Sequence, residues 1–430
     1  TGRNVTITGK DVKIRDTDNI FLGRQTVSGN LTVTAGGNID DGDILTVTGT
    51  TTITGGGYVK FNNTGGSDYV GTVNIDAGGE INLKDQNAIE LGTITGTGVF
   101  ELTASLGSTG TVTQTGAITV ANPTTITNTG GDVTLTTATN DFGSDGTGQV
   151  RITGANVSVI DENLIDLGAS TVSGTFTVTA SAGNIIDSGT LAITGLTTLT
   201  TSASGADIEL DETGSSFAAG VSLNTTGDLG DAAVDTGNAL AVAASSVGGD
   251  LTLESAHASG ITDLVGATVT VGQNLAATAT ANSGDINLGD LAVDGTIALT
   301  AHNASGNAGD ATIVNTKAVK LANSTVDGNL SVTAAAGNIT DTGVLTVTGT
   351  SSFTTSATDA DIKLDTTTNG FTGTVTVNTA GTAGLDDAEI HGGSTPLGII
   401  ASGGVGTLKL TTTGADITDE GALVVTGATT

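Results

Sequence analysis

The chain has 430 residues, 66 of them Gly and 2 of them Pro, with no Cys, Met or Trp, 2% aromatic residues and 13% charged ones. Disulfides, thiolate metal sites and cores built on large aromatics are thereby excluded, while a mean hydropathy of +0.18 and a surplus of Val, Ile and Thr mark a folded, strand-rich chain. The formal net charge of −32 repels nucleic acid and anionic lipid alike, and no apolar run approaches the roughly 18 residues of a membrane-spanning helix.

From the first copy onward, apolar residues alternate with Thr, Ser, Asp or Asn, as in Leu31 and Val33, then Leu45 and Val47. Period two predicts strands, each about four to six residues long, and no stretch carries the spacing of a helix. Gly, Asn and Asp gather between the runs, where the chain must turn sharply.

One block then recurs six times: GNIDDGDILTVTG at 37–49, GTVTQTGAITVAN at 110–122, GNIIDSGTLAITG at 183–195, SGITDLVGATVTVG at 259–272, GNITDTGVLTVTG at 337–349 and ADITDEGALVVTG at 415–427. Its apolar positions, Ile39, Val112, Ile185, Ile261, Ile339 and Ile417, are 73, 73, 76, 78 and 78 residues apart, so the module is roughly 75 residues long. Other blocks keep the same phase. TVSGNL at 26–31 returns at 171–176, 246–251 and 325–330, and GDVTL at 131–135 returns at 206–210, 284–288 and 360–364. Shortly after that second block come Phe142, Phe217, Val293 and Phe371, matched by Tyr69 in the first module. Their phase predicts one core or corner plug per module rather than a ligand stripe.

Short strands and close turns leave a β-sandwich array or a β-solenoid, and the small branched apolar residues favour the solenoid. The expected fold is all-β: a right-handed parallel β-helix of about six diverged repeats, running as one continuous solenoid over 1–430. With coils of about 20 residues, a module takes about four coils and the rod reaches about 100 Å. Thr1 opens the chain and both ends fall inside a repeat, so the sequence reads as a segment of something longer.

The phrases GNLTVTAGGNIDDGDILTVTG at 29–49 and GNLSVTAAAGNITDTGVLTVTG at 328–349, each followed by TTIT or SSFTT and then a DIxL strand, resemble repeats of very large filamentous haemagglutinin-like and autotransporter-like bacterial surface proteins. The resemblance spans nearly the whole chain. It implies a right-handed parallel β-helix, export across a Gram-negative outer membrane, and display as a secreted adhesin or surface fibre, with no catalytic residues in these blocks.

Calcium is the cofactor with a case: Asn38, Asp40, Asp41, Gly42 and Asp43 form an oxygen-rich turn, and Asp40, Asp41 and Asp43 are its candidate ligands. Neither an EF-hand loop nor a GGxGxD nonapeptide is present. Asp40, Asp41 and Asp43 again, with the carboxylate pairs Asp161 with Glu162, Asp386 with Asp387 and Asp419 with Glu420, are the candidates for glycosidase chemistry, but without Trp and with two Tyr the chain lacks sugar platforms, and solvated turn carboxylates are expected. His257, His302 and His391 share no module phase, which argues against a zinc site. The expectation is a non-enzymatic, extracellular structural or adhesive protein, a rod-like shaft of a large bacterial exoprotein. The alternative is a self-assembling subunit of a filament, sheath or surface layer. Its partners would be copies or neighbouring repeats of itself, or a host or cell-surface receptor, with no nucleic acid and no membrane insertion.

Overall fold

A computed structural model describes residues 4–104, 110–143, 148–302, 309–380 and 386–425. Thr426 and Gly427, the last two residues of the sixth block, lie outside the described residues. The chain divides into two compact units, Thr1–Glu212 and Thr213–Thr430, and both are parallel β-solenoids. No helix occurs among the described residues.

In the first unit one sheet stacks Val12–Asp16, Leu31–Ala35, Thr51–Gly55 and Val73–Ala77, each strand pairing with the equivalent strand of the next turn. The opposing sheet stacks Ile20–Leu22, Ile39–Asp41, Val59–Phe61, Ile81–Lys84 and Phe100–Thr103. A third, four-stranded sheet of short strands runs from Thr8–Gly9 through Gln25–Val27 and Leu45–Val47 to Asp68–Tyr69. The second unit repeats the plan, with Ala311–Asn315, Leu330–Ala334, Ser351–Thr355 and Val375–Thr379 in one sheet. Ala232–Thr236, Leu251–Ser255, Leu275–Ala279 and Ile297–Ala301 lie in the other.

Because stacked strands are parallel and in register, like sits on like. Val33, Ile53, Ile75, Ile94 and Ile118 form one internal column, all essentially without solvent exposure. Each such side chain contributes about 1.5–3 kcal/mol by leaving water. The intervening Thr, Asn and Asp residues face outward, as the alternation predicts.

The expected four coils per module are in fact about three and a half. From Ile39, seven steps of strand register pass through Val59, Ile81, Phe100, Thr124, Val150 and Leu167 to the strand Ile185–Asp187. Over the 146 residues from Ile39 to Ile185 a turn therefore averages about 21 residues. The Val112 block, one module on from Ile39, accordingly lies in the sheet opposite the Ile39 and Ile185 blocks. The second unit behaves alike, with Ile261 and Ile417 in one sheet and Ile339 in the other.

Corners are closed by two devices. At the first, glycines stack: a Cβ on Gly56 would stand 2.2 Å from the Gly36 carbonyl oxygen, and one on Gly78 would stand 2.3 Å from that of Gly56. At the second, an Asn or Asp side chain accepts the backbone N–H of the residue one turn on. Asp231 accepts from Asp250, Asp250 from Asn274 and Asn274 from Thr296, at 2.8–2.9 Å. Asn338, Asp361 and Asp387 repeat the pattern up to Thr407. Parallel turns leave corner amides unpaired, and these oxygens satisfy them.

Candidate functional site: a polar corner repeated through the modules

The third apolar-strand position of the repeated block is occupied by Asp41, Gln114, Asp187, Asp263 and Asp341 in the first five modules. Each side chain accepts a backbone N–H from the following turn: Asp41 from Asn62 at 3.2 Å, Gln114 from Thr137 at 3.3 Å, Asp187 from Asp211 at 2.9 Å, Asp263 from Asp290 at 2.6 Å and Asp341 from Asp365 at 3.0 Å. One carboxylate or amide per module thus fastens a turn to its neighbour.

A second polar residue lies one turn on, two positions before the plug. Ser67 accepts the N–H of Leu45, Asn140 that of Ile118 and Asn369 that of Leu345. The plugs themselves, Tyr69, Phe142, Phe217, Val293 and Phe371, are all buried, as their phase predicts. Four of them sit on the last residue of the block's second strand: Tyr69 on Val47, Phe142 on Val120, Val293 on Val271 and Phe371 on Val347. A third polar residue then accepts the plug's own N–H from the turn above: Asp85 for Tyr69 at 2.9 Å, Asp161 for Phe142 at 2.8 Å and Asn315 for Val293 at 2.9 Å.

The corners differ in how completely they are satisfied. In the second module Gln114 and Asn140 exchange amide hydrogen bonds at 2.8 and 2.9 Å. In the fifth, Asn369 donates to Asp341 at 2.6 Å, and Asp341 also accepts from Thr366. In the first, Ser67 replaces the Asn, and Asp41 Oδ2 and the Tyr69 hydroxyl are both buried without a hydrogen-bond partner. The Ser67 hydroxyl lies beside that of Tyr69 without reaching hydrogen-bond geometry. Burial raises Asp41, Asp85, Asp161 and Asp187 from the ordinary carboxylate value to about 6, against the lowering effect of their backbone donors. Burial also raises the Tyr69 hydroxyl.

The candidate calcium ligands part company in this geometry. Strand alternation sends Asp40 outward and Asp41 inward, and Asp43 accepts from the Ile44 N–H at 2.7 Å and from Arg24 at 3.1 Å. Backbone donation from Ile44 holds Asp43 below the usual carboxylate range, with Arg24 adding to it. Among the described residues no group of three His, Cys, Asp or Glu side chains converges on one point. The carboxylate pairs are split in the same way. Asp161 and Asp386 are buried while Glu162 and Asp387 face solvent, so the expectation of solvated turn carboxylates is corrected for Asp41, Asp161 and Asp386. Asp419 and Glu420 are exposed, accepting from Gly421 and Thr418. His257 and His391 each accept a backbone N–H two residues on, and His302 meets Asp327 at 2.9 Å.

Hollows open on the first unit among the described residues. One of about 390 Å³ is lined by Val5, Ile14, Arg15, Asp16, Asn19, Ile20 and Phe21, and a shallower one of about 210 Å³ crosses the outward Thr52, Thr54, Asn74, Asp76, Thr93 and Thr95. Neither contains the paired carboxylates named above.

The polar corner was missed in the sequence, although its signal is present: aligning the six blocks places Asp at the same position in five of them, with Gln114 in the second. A family model described as repeats of unknown function, DUF5649, matches residues 9–76, 78–148, 154–224 and 308–378, together about two thirds of the chain. No curated protein and no solved structure matches the chain.

Proposed function

The chain belongs to the DUF5649 repeat family, and we propose that it serves as structural shaft in a large extracellular bacterial exoprotein of the filamentous haemagglutinin-like or autotransporter-like kind, with an adhesive role carried through that shaft. The supporting observation is where the polar residues go. Asp41, Asp187, Asp263 and Asp341, the acids that recur in module phase, are spent on backbone N–H groups of the next turn. A shaft needs turns that resist separation. Parallel ladders, internal apolar columns and corner brackets supply that resistance.

A second reading, lateral self-assembly into a filament, sheath or surface layer, is favoured by one face of the second unit. Thr312, Val314, Ser331, Thr333, Ser352, Thr354, Thr376 and Asn378 stand outward in register without a single charge. In a chain of net charge −32 such a face is where like copies repel least.

Electron microscopy of the purified chain, with calcium and with chelator, separates the readings. Discrete stiff particles of constant width in both conditions fit the shaft. Ordered fibres or sheets fit assembly, and irregular or collapsed particles sink both. Antibody labelling of intact against permeabilised producing cells tests the external location.

A further inference from the structure

Asp85 and Asp161 occupy one position of the repeat, two residues after the last inward apolar residue of a strand whose inward residues are Ile81 and Leu83 in one module and Val157 and Val159 in the next. Both are fully buried. Each carboxylate has one oxygen on the plug N–H below and the other on the N–H two residues ahead, Asn87 at 2.6 Å and Asn163 at 2.7 Å. Hydrogen bonding is therefore complete, but charge compensation is absent. The neighbouring charges are of like sign: Asp68 near Asp85, and Asp141 with the solvent-facing Glu162 near Asp161. Tyr69 packs against Asp85 as a neutral hydroxyl, and Lys84 lies on the outward side of its strand. Among the described residues neither carboxylate is engaged in an ion pair.

The second unit fills the same position with Thr236 and Asn315, equally buried and uncharged. Asn315 performs the same service, accepting the Val293 N–H at 2.9 Å and returning a bond to the Val293 carbonyl at 3.1 Å. The bracket thus works without an ionisable group, and among the described residues the first unit alone has one there with acids for neighbours.

We propose that Asp85 and Asp161 are proton-uptake sites that make the first unit tighten on acidification. A proton on either carboxylate removes a buried charge next to other carboxylates and keeps an oxygen free to accept the plug N–H. The direction follows from linkage. Both groups stand near 6 in the folded chain and at the ordinary value of 3.8 when unfolded, so the folded state binds protons more tightly. The destabilising charge is fully present above pH 6, is relieved as pH falls through 6, and its relief is complete near 3.8.

The test uses the full chain and its Asp85→Asn, Asp161→Asn double variant, Asn being the residue that position 315 already carries. Hydrogen exchange followed by mass spectrometry, corrected for intrinsic rates, reads protection in peptides holding the Tyr69 and Phe142 amides at about pH 7.5 and about pH 5. Wild type should gain on the order of tenfold or more in protection on acidification. The variant should start higher at neutral pH and lose most of the acid-induced gain in these two peptides, keeping only what the buried Asp41 and Asp187 of the same unit contribute. Wild-type protection that is flat or falls, or a variant that keeps the full wild-type pH response, overturns the proposal. If the variant is not recovered folded, the wild-type profile alone decides in the same way.

Discussion

Asp161 holds Phe142 from the turn above, its Oδ2 accepting the Phe142 backbone N–H at 2.8 Å across 19 residues of chain. The same carboxylate caps its own turn through Asn163. Replacing it with Ala strands the buried Phe142 amide and frees the Asn163 amide toward solvent, and a buried unsatisfied group costs roughly 1–3 kcal/mol. Asp161→Ala should therefore lower the stability of the first unit by about 1–3 kcal/mol, read from urea unfolding of the full chain at about pH 5, where the carboxylate is largely protonated and relief of its buried charge no longer offsets the loss. A loss below about 0.5 kcal/mol would mean that water or a neighbour replaces the carboxylate.

Phe142 is the plug that this bracket fixes. It is 2% exposed and pairs with Val120 below it. Phe142→Ala should destabilise by about 3–5 kcal/mol through lost transfer energy and an unfilled space. Chemical unfolding followed by circular dichroism measures this, and a near-neutral result would show that the corner collapses around the smaller residue.

The first module's corner can be repaired from within the sequence. The double change Ser67→Asn, Tyr69→Phe writes into the first module the Asn369 and Phe371 of the fifth, where the Asn amide reaches Asp341 at 2.6 Å. It supplies a donor to Asp41 Oδ2 and removes the partnerless Tyr69 hydroxyl. We expect a gain of about 1–2 kcal/mol at neutral pH, the value of one hydrogen bond to a charged group. Unchanged or reduced stability would show that the side chains cannot meet in that corner.

Gly56 tests the corner columns. A methyl group placed there meets the Gly36 carbonyl oxygen at 2.2 Å, closer than any real contact, and both partners are backbone. Gly56→Ala should cost about 1–3 kcal/mol by forcing the turns apart. Gly370, where an added Cβ meets nothing within 4 Å, is the control, and its Ala variant should change stability little.

Much of the fold is legible in the sequence because alternation and phase are strong there. Leu31 with Val33 and Leu45 with Val47 announce strands, and the buried plugs Tyr69, Phe142, Phe217, Val293 and Phe371 announce themselves by recurrence. The coil length is less visible, because a coil resembles its neighbour less than a module resembles the next, so the three-and-a-half-turn module emerges only from strand register. The polar corner is hidden for a different reason. Asp40 and Asp41 read as one acidic turn until the pleat assigns them to opposite sides, and Asp161 reads as solvated until the turn below supplies Phe142.

The half-integer module bears on how such a chain can grow. Duplicating or deleting one module within a unit transfers every downstream block to the other sheet, so that a surface built by the Thr and Ser columns is dealt out anew on the opposite side. Duplicating a pair leaves each side as it was. Gene rearrangements that add modules two at a time therefore lengthen the stack without rewriting its surface, whereas odd additions are a route to new faces from old sequence.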